Sequence, residues 1–129
     1  MDQISNFIIQ IKNAGNAGHE SVASTYSKLR HSIALVLKKE GFVKDVEVKM
    51  EGGRKALVVT LLKGENRVPK IQGVERISKP SKRIYKKSSE MRAVRSGYGA
   101  LIVSTSAGVM SGRDAKAAKL GGEALFNIW

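Results

Sequence analysis

Apolar residues near the start of the chain fall at Ile4, Phe7, Ile8 and Ile11. That spacing puts all four on one face of a helix. Asp2 is placed to cap its start and Gly15 to end it. The segment "SVAST" (21–25) is short and rich in β-branched and hydroxyl residues, which predicts a small strand. Ser27 then precedes a second helical pattern, with Leu29, Ile33, Val36 and Leu37 on its apolar face. Lys38 and Lys39 suit its last turn, and Gly41 closes it. Beyond it the period changes to two. Val46, Val48 and Met50 alternate with charged residues, "EGGR" makes a turn, and Leu57, Val59 and Leu61 alternate again. This is the pattern of a hairpin with one buried face.

From Asn66 to Lys70 the chain turns polar and contains Pro69, which marks a boundary between modules, 1–66 and 67–129. In the second module Val74, Ile77, Ile84 and Tyr85 mark two short strands around the turn "SKPSKR". "SSEMRAVRSG" reads as a connector and "YGALIVST" as a buried strand. Ser111 and Asp114 have capping-box spacing, so a helix is expected from about Gly112 to Lys119. Gly121 and Gly122 end it, and "EALFNIW" is the last strand. The fold class is α+β. It comprises an N-terminal α-β-α-β-β module and a C-terminal, mainly antiparallel small sheet with one short helix. A chain of 129 residues can bury about two thirds of its unfolded surface, so it needs no disulfide or metal.

Composition narrows the chemistry. There is no Cys, which removes thiolate metal sites, redox pairs and a Cys nucleophile, and fits a reducing compartment. His19 and His31 lack the spacing and the carboxylate company of a metal site. "IVSTSAG" fails the pattern of a nucleophile elbow, and "SGYG" precedes a strand rather than a helix. No catalytic residue, metal or cofactor is expected. No apolar run approaches the ~20 residues that span a bilayer. The start "MDQISNFIIQIKN" lacks the basic, then solidly apolar, form of a signal peptide, so a cytoplasmic location is expected.

Charge points to the partner. Lys and Arg number 23 against 11 Asp and Glu, a net of +12. Residues 1–66 carry 10 basic and 7 acidic groups, and residues 67–129 carry 13 and 4, so +9 of the excess lies in the second module. Between Arg76 and Arg95 stand eight basic residues and one acid, Glu90. A local excess of this kind attracts a polyanion. Tyr85 is interleaved with it, and Tyr98 follows nearby. The hydroxyl cluster Ser104, Thr105 and Ser106 has two open readings, a β-edge or a loop that meets RNA base edges and 2′-OH groups. The basic run favours the loop. A helix start at Ser111 would add a place for a phosphate. No helix suited to a major groove is evident, which favours RNA over DNA.

The stretch "GALIVSTSAGVMSGRDAK" resembles the signature of the small-subunit ribosomal protein eight family, in its bacterial and organelle form. Gly99, Leu101 to Ser104, Thr105, Gly108, Val109, Met110, Ala115 and Lys116 all fit that pattern. "IKNA", "SKL…VLKKEGF", "RISKPSKRIY" and "LGGEALFNIW" fall where the family has them, so the likeness covers the whole chain. The resemblance implies a structural role without catalysis. Its implied ligand is an irregular internal loop in the central domain of small-subunit 16S rRNA, bound early in assembly of the subunit platform. It implies RNA contact by Ser104, Thr105, Ser106 and Gly108, and by Tyr85 with the turn Lys79, Pro80, Ser81, Lys82, Arg83 and the following Lys86. In the first module it implies contacts at Asn13, Lys28 and Arg30. Glu123 and Gly122 are implied to orient the hydroxyl loop, with Glu123 accepting hydrogen bonds. Implied partners are the fifth and twelfth small-subunit proteins and an operon mRNA that mimics the rRNA site. The chain departs from the family at Ala107, often basic there, at Ser111-Gly112, often Thr-Asp, and along "QISNFIIQIKN". The alternative is an RNA-binding module or translational repressor acting outside the ribosome.

Overall fold

A computed structural model describes residues 3–63, 70–92, 94 and 99–129. The elements run α1 (Gln3–Asn16), β1 (Ser21–Thr25), α2 (Lys28–Lys39), β2 (Val43–Glu51), β3 (Arg54–Leu61), β4 (Val74–Arg76), β5 (Tyr85–Lys86), β6 (Ala100–Thr105), β7 (Gly108–Ser111), α3 (Gly112–Ala117) and β8 (Gly122–Ile128). The expected α+β class holds. The contacts divide the chain into two units, Gln3–Gln72 and Gly73–Trp129. The boundary expected after residue 66, with Pro69, lies outside the described residues, as do Asp2, Arg95 and Tyr98.

In the first unit β3 is the central strand of an antiparallel sheet ordered β1-β3-β2. The helical pattern holds: Ile4, Phe7, Ile8 and Ile11 of α1 are buried, as are Ile33, Val36 and Leu37 of α2. Leu57 and Val59 of β3 are wholly buried. Ser27 caps α2, its side chain accepting from the Arg30 N–H at 3.1 Å. Two expectations change here. Gly15 does not end α1, which continues to Asn16 and turns out at Gly18. There the Gly18 N–H bonds the Gly15 carbonyl and the His19 N–H the Ala14 carbonyl, a Schellman closure. The buried face of β2 also fails to reach its far end: Val48 is 41% and Met50 65% exposed. β2 is an edge strand, whereas Leu57, opposite Val48 on the central strand, is fully covered.

The second unit is a five-stranded antiparallel sheet in the order β4-β8-β6-β7, with β5 also pairing β8. β4 and β5 therefore flank the basic turn without pairing to each other. β4 binds the C-terminal half of β8 and β5 its start. β7 was not expected as a strand. It returns from β6 after a two-residue turn, pairing Thr105 with Gly108 and Ile102 with Ser111. On one face, Leu101, Val103 and Ala124 pack with Met91 and with Ala115 of α3. Ser111 caps α3, accepting from the Asp114 N–H at 3.1 Å, as the capping spacing predicts.

The end of α3 differs from the expectation. Gly121 and Gly122 do not stop the helix. Lys119 does, at φ 59°, while the Lys119 N–H bonds the Lys116 carbonyl and the Leu120 N–H bonds the Ala115 carbonyl. This is again a Schellman closure, with lysine where glycine is the usual residue. Gly121 and Gly122 instead allow close approach. A Cβ on Gly121 would sit 2.8 Å from the Lys86 carbonyl oxygen, and one on Gly122 would strike the carbonyl of Ser104.

Candidate nucleic-acid interface

The β6–β7 hairpin carries the hydroxyl cluster to its tip. Strand alternation sends Val103 into the core and Ser104 to the other face, and the turn exposes Ser106, Ala107 and Gly108. Thr105 shapes that turn. Its Oγ1 donates to the Gly108 carbonyl at 2.8 Å and accepts from the Ala107 N–H at 3.1 Å. Gly108 has φ 113°, a conformation that side chains disfavour, so glycine is needed there for the backbone itself. Among the described residues the Ser104 and Ser106 hydroxyls make no hydrogen bond within the chain. The threonine is thus tied into the turn and the two serines are left available.

Register assembles a row around the cluster. Tyr85 on β5 stands opposite Glu123 on β8, Glu123 opposite Ser104 on β6, and Ser104 opposite Val109 on β7. Opposed residues in antiparallel strands share a face. Tyr85, Glu123 and Ser104 therefore line one face in sequence, with Tyr85 67% exposed. Among the described residues the Glu123 carboxylate makes no hydrogen bond to the loop, whose turn is closed by Thr105. Gly122 makes a close approach. Without a Cβ it lets β8 lie directly against Ser104 and Thr105.

The turn between β4 and β5 presents the cations. Lys79 and Lys82 exchange main-chain hydrogen bonds of 2.9 and 3.0 Å. Ser78, only 1% exposed, staples the base of the loop. Its Oγ accepts from the Ile84 N–H at 2.9 Å and donates to the Ile84 carbonyl at 3.2 Å. Sequence reading missed Ser78, because a buried serine has no periodic signature. Lys79, Pro80, Ser81, Lys82 and Arg83 are all exposed. Among the described residues Lys79, Lys82 and Arg83 have no ion-pair partner. Lys86 is separated from Tyr85. Adjacent residues of a strand leave opposite faces, and Lys86, opposite Gly122, turns into a cleft on the far side of the sheet. The expected phosphate site at the start of α3 is also changed. Ser111 and Gly112 are buried, and the Ser111 side chain is taken up by its cap.

In the first unit Asn13 and Lys28 are exposed on α1 and α2. Arg30 is committed within the unit. Its guanidinium donates to the Ser24 hydroxyl at 2.6 Å and lies 5.7 Å from the Phe7 ring centre. Tyr26, beside Ser27, has the Lys55 ammonium 5.2 Å from its ring centre and the His31 ring at 5.7 Å. This aromatic and cationic group was not read from the sequence, since Lys55 arrives from a distant strand.

A basic α+β chain that gathers free hydroxyls, an exposed tyrosine and unpaired cations at one end of a sheet has the make-up of a nucleic-acid-binding protein. The chain belongs to the ribosomal protein S8 family, whose model matches residues 2–129. It is 43% identical over 129 residues to the small ribosomal subunit protein uS8 of Bdellovibrio bacteriovorus, covering all of both chains. It is 43% identical over 128 residues to uS8 of Caldanaerobacter subterraneus, covering 99% of this chain and 97% of that one. The uS8 of Nostoc punctiforme is 40% identical, with the same coverage. The family is one of structural, non-enzymatic proteins. Among the described residues no helix is long and apolar enough to cross a membrane.

Proposed function

We propose that this chain is a structural component of the small ribosomal subunit that binds an irregular internal loop in the central domain of its rRNA and helps assemble that region. The observation that carries the reading is the row of Tyr85, Glu123 and Ser104, continued by Ser106 at the hairpin tip. Serine hydroxyls and a carboxylate can pair with base edges and 2′-OH groups on a shallow or irregular RNA surface. Lys79, Lys82 and Arg83, on the turn that leads into β5, supply phosphate contacts that hold the register without reading sequence. The family membership supports the ribosomal setting over a free RNA-binding module.

Filter binding to a central-domain rRNA fragment over a salt series tests the division of labour. Ser106→Ala is expected to lower specific affinity by about 1–3 kcal/mol, since it leaves an RNA group unsatisfied. Its salt slope stays as in the wild type, because no phosphate contact is lost. Lys82→Ala is expected to weaken binding to many RNAs alike and to flatten the slope by about one. If the two variants behave alike, the separation of reading from anchoring is wrong. Sedimentation tests the setting: an endogenous protein that never enters small subunits would exclude it.

A further inference from the structure

The face of the second sheet that bears Lys86 also holds a cleft of about 360 Å³. Val94, Leu101 and the indole of Trp129 give it an apolar floor. The ring is well backed. Gly73 leaves no room for a Cβ beside it, and Gly73 and Trp129 exchange main-chain hydrogen bonds of 3.1 and 3.0 Å. Lys86 and Arg92 bring two cations to the cleft. Glu75 and Asn127, opposite each other on β4 and β8, form another wall, with the Asn127 amide donating to Glu75 Oε1 at 3.3 Å. The second carboxylate oxygen of Glu75 and the amide oxygen of Asn127 remain as acceptors.

A ligand that used every part would need a flat apolar body, donors along one edge and a negative charge. The volume lies in the range of small-ligand sites. A guanine nucleotide meets all three needs. Its ring can stack on the indole, its adjacent N1–H and N2–H groups match a carboxylate, and its phosphate matches a lysine and an arginine. Adenine offers an acceptor at N1 where Glu75 also accepts. We propose that the cleft binds one guanine nucleotide, with the base on Trp129, the base edge on Glu75 and the phosphate at Lys86 and Arg92. Such a nucleotide comes either as a free monophosphate or as an unstacked guanosine of a bound RNA. Only the second source rests on the RNA-binding reading above.

Trp129 is the only tryptophan in the chain, so its emission reports on this cleft. Titration of the full chain with GMP is expected to quench it saturably, with AMP at least about tenfold weaker. Ribose 5-phosphate, which has no base, should not quench it. Arg92→Ala should weaken GMP about tenfold through loss of a charge-assisted contact. Glu75→Gln, which keeps the side-chain shape, should erase the preference for GMP over AMP. A parallel series uses the central-domain rRNA fragment, with retention on filters measured alongside emission. Quenching by RNA that Glu75→Gln and Arg92→Ala remove, while retention persists, assigns the site to an RNA guanosine. Quenching by GMP that depends on Glu75 supports the cleft even if the RNA is not retained at all, in which case the RNA-binding reading alone fails. The proposal is overturned if neither GMP nor RNA changes the emission, or if Glu75→Gln and Arg92→Ala leave the quenching unaltered.

Discussion

The hydroxyl of Thr105 works on its own chain. By bonding Gly108 and Ala107 it fixes the turn that presents Ser106, whose own hydroxyl has no hydrogen bond among the described residues. Asp45 shows a comparable local commitment in the first unit. Its Oδ1 accepts from the Lys38 ammonium at 3.1 Å and from the Val46 N–H at 2.9 Å. The lysine hydrogen bond first, and the backbone one next, hold its carboxyl below the usual carboxylate range. A carboxyl with a lower pKa folded than unfolded adds stability above its unfolded pKa, near ~3.9. That contribution is lost as pH falls through the lower, folded value. Asp45→Asn is therefore expected to lower the urea midpoint at neutral pH. The gap from wild type should close once the pH is well below 4, as urea melts across a pH series would report. A gap of constant size from pH 7 to acid would refute the assignment.

At the scale of the element, the turn and the helix ends give the clearest tests. Ser78 satisfies both main-chain groups of Ile84 from a buried position. Ser78→Ala leaves the Ile84 N–H without that partner, while the Ile84 carbonyl keeps the Ala124 N–H at 2.9 Å. The loss should cost about 1–3 kcal/mol and expose residues 79–83 to limited proteolysis. Equal melting and equal cleavage rates would show that the loop is held otherwise. Lys119→Gly should act in the opposite direction. It relieves about 1–2 kcal/mol of left-handed strain, offset by the greater freedom of glycine in the unfolded chain. A net gain of about 0.5–1 kcal/mol, or a few degrees in Tm, is expected in calorimetry. Both long helices were legible because four apolar side chains at helical spacing suffice to fix a face. The strand β7 was not legible, since the turn Ser106–Ala107 lacks the Asn-Gly or Asp-Gly signature and closes through a threonine side chain. Val48 and Met50 had the right alternation, but no local pattern says that their strand lies at an edge.

For the whole molecule, the charge imbalance was readable from the sequence, and its division over two faces was not. Period two places Tyr85 and Lys86 on opposite faces, yet which face meets what depends on the register with β8, some forty residues away. The resemblance implies that Glu123 orients the loop; that its carboxylate has no hydrogen-bond partner among the described residues could not be read from local pattern, because its neighbours come from other strands. With a net charge of +12, affinity for the rRNA fragment should fall steeply with salt. A slope of about −3 or steeper is expected from the three turn cations plus further contacts. A nearly flat slope would mean that the turn does not touch phosphate.

The position of β8 has a consequence for biosynthesis. It is the last strand of the order, yet it lies between β6 on one side and β4 and β5 on the other. Until it emerges, Tyr85 and Ser104 have no shared partner and the basic turn has no strand to anchor its two ends. The nascent chain thus carries its positive charge well before it has a surface with which to discriminate. Under the RNA-binding reading proposed above, recognition waits on a late, long-range closure, the kind of step that folds slowly.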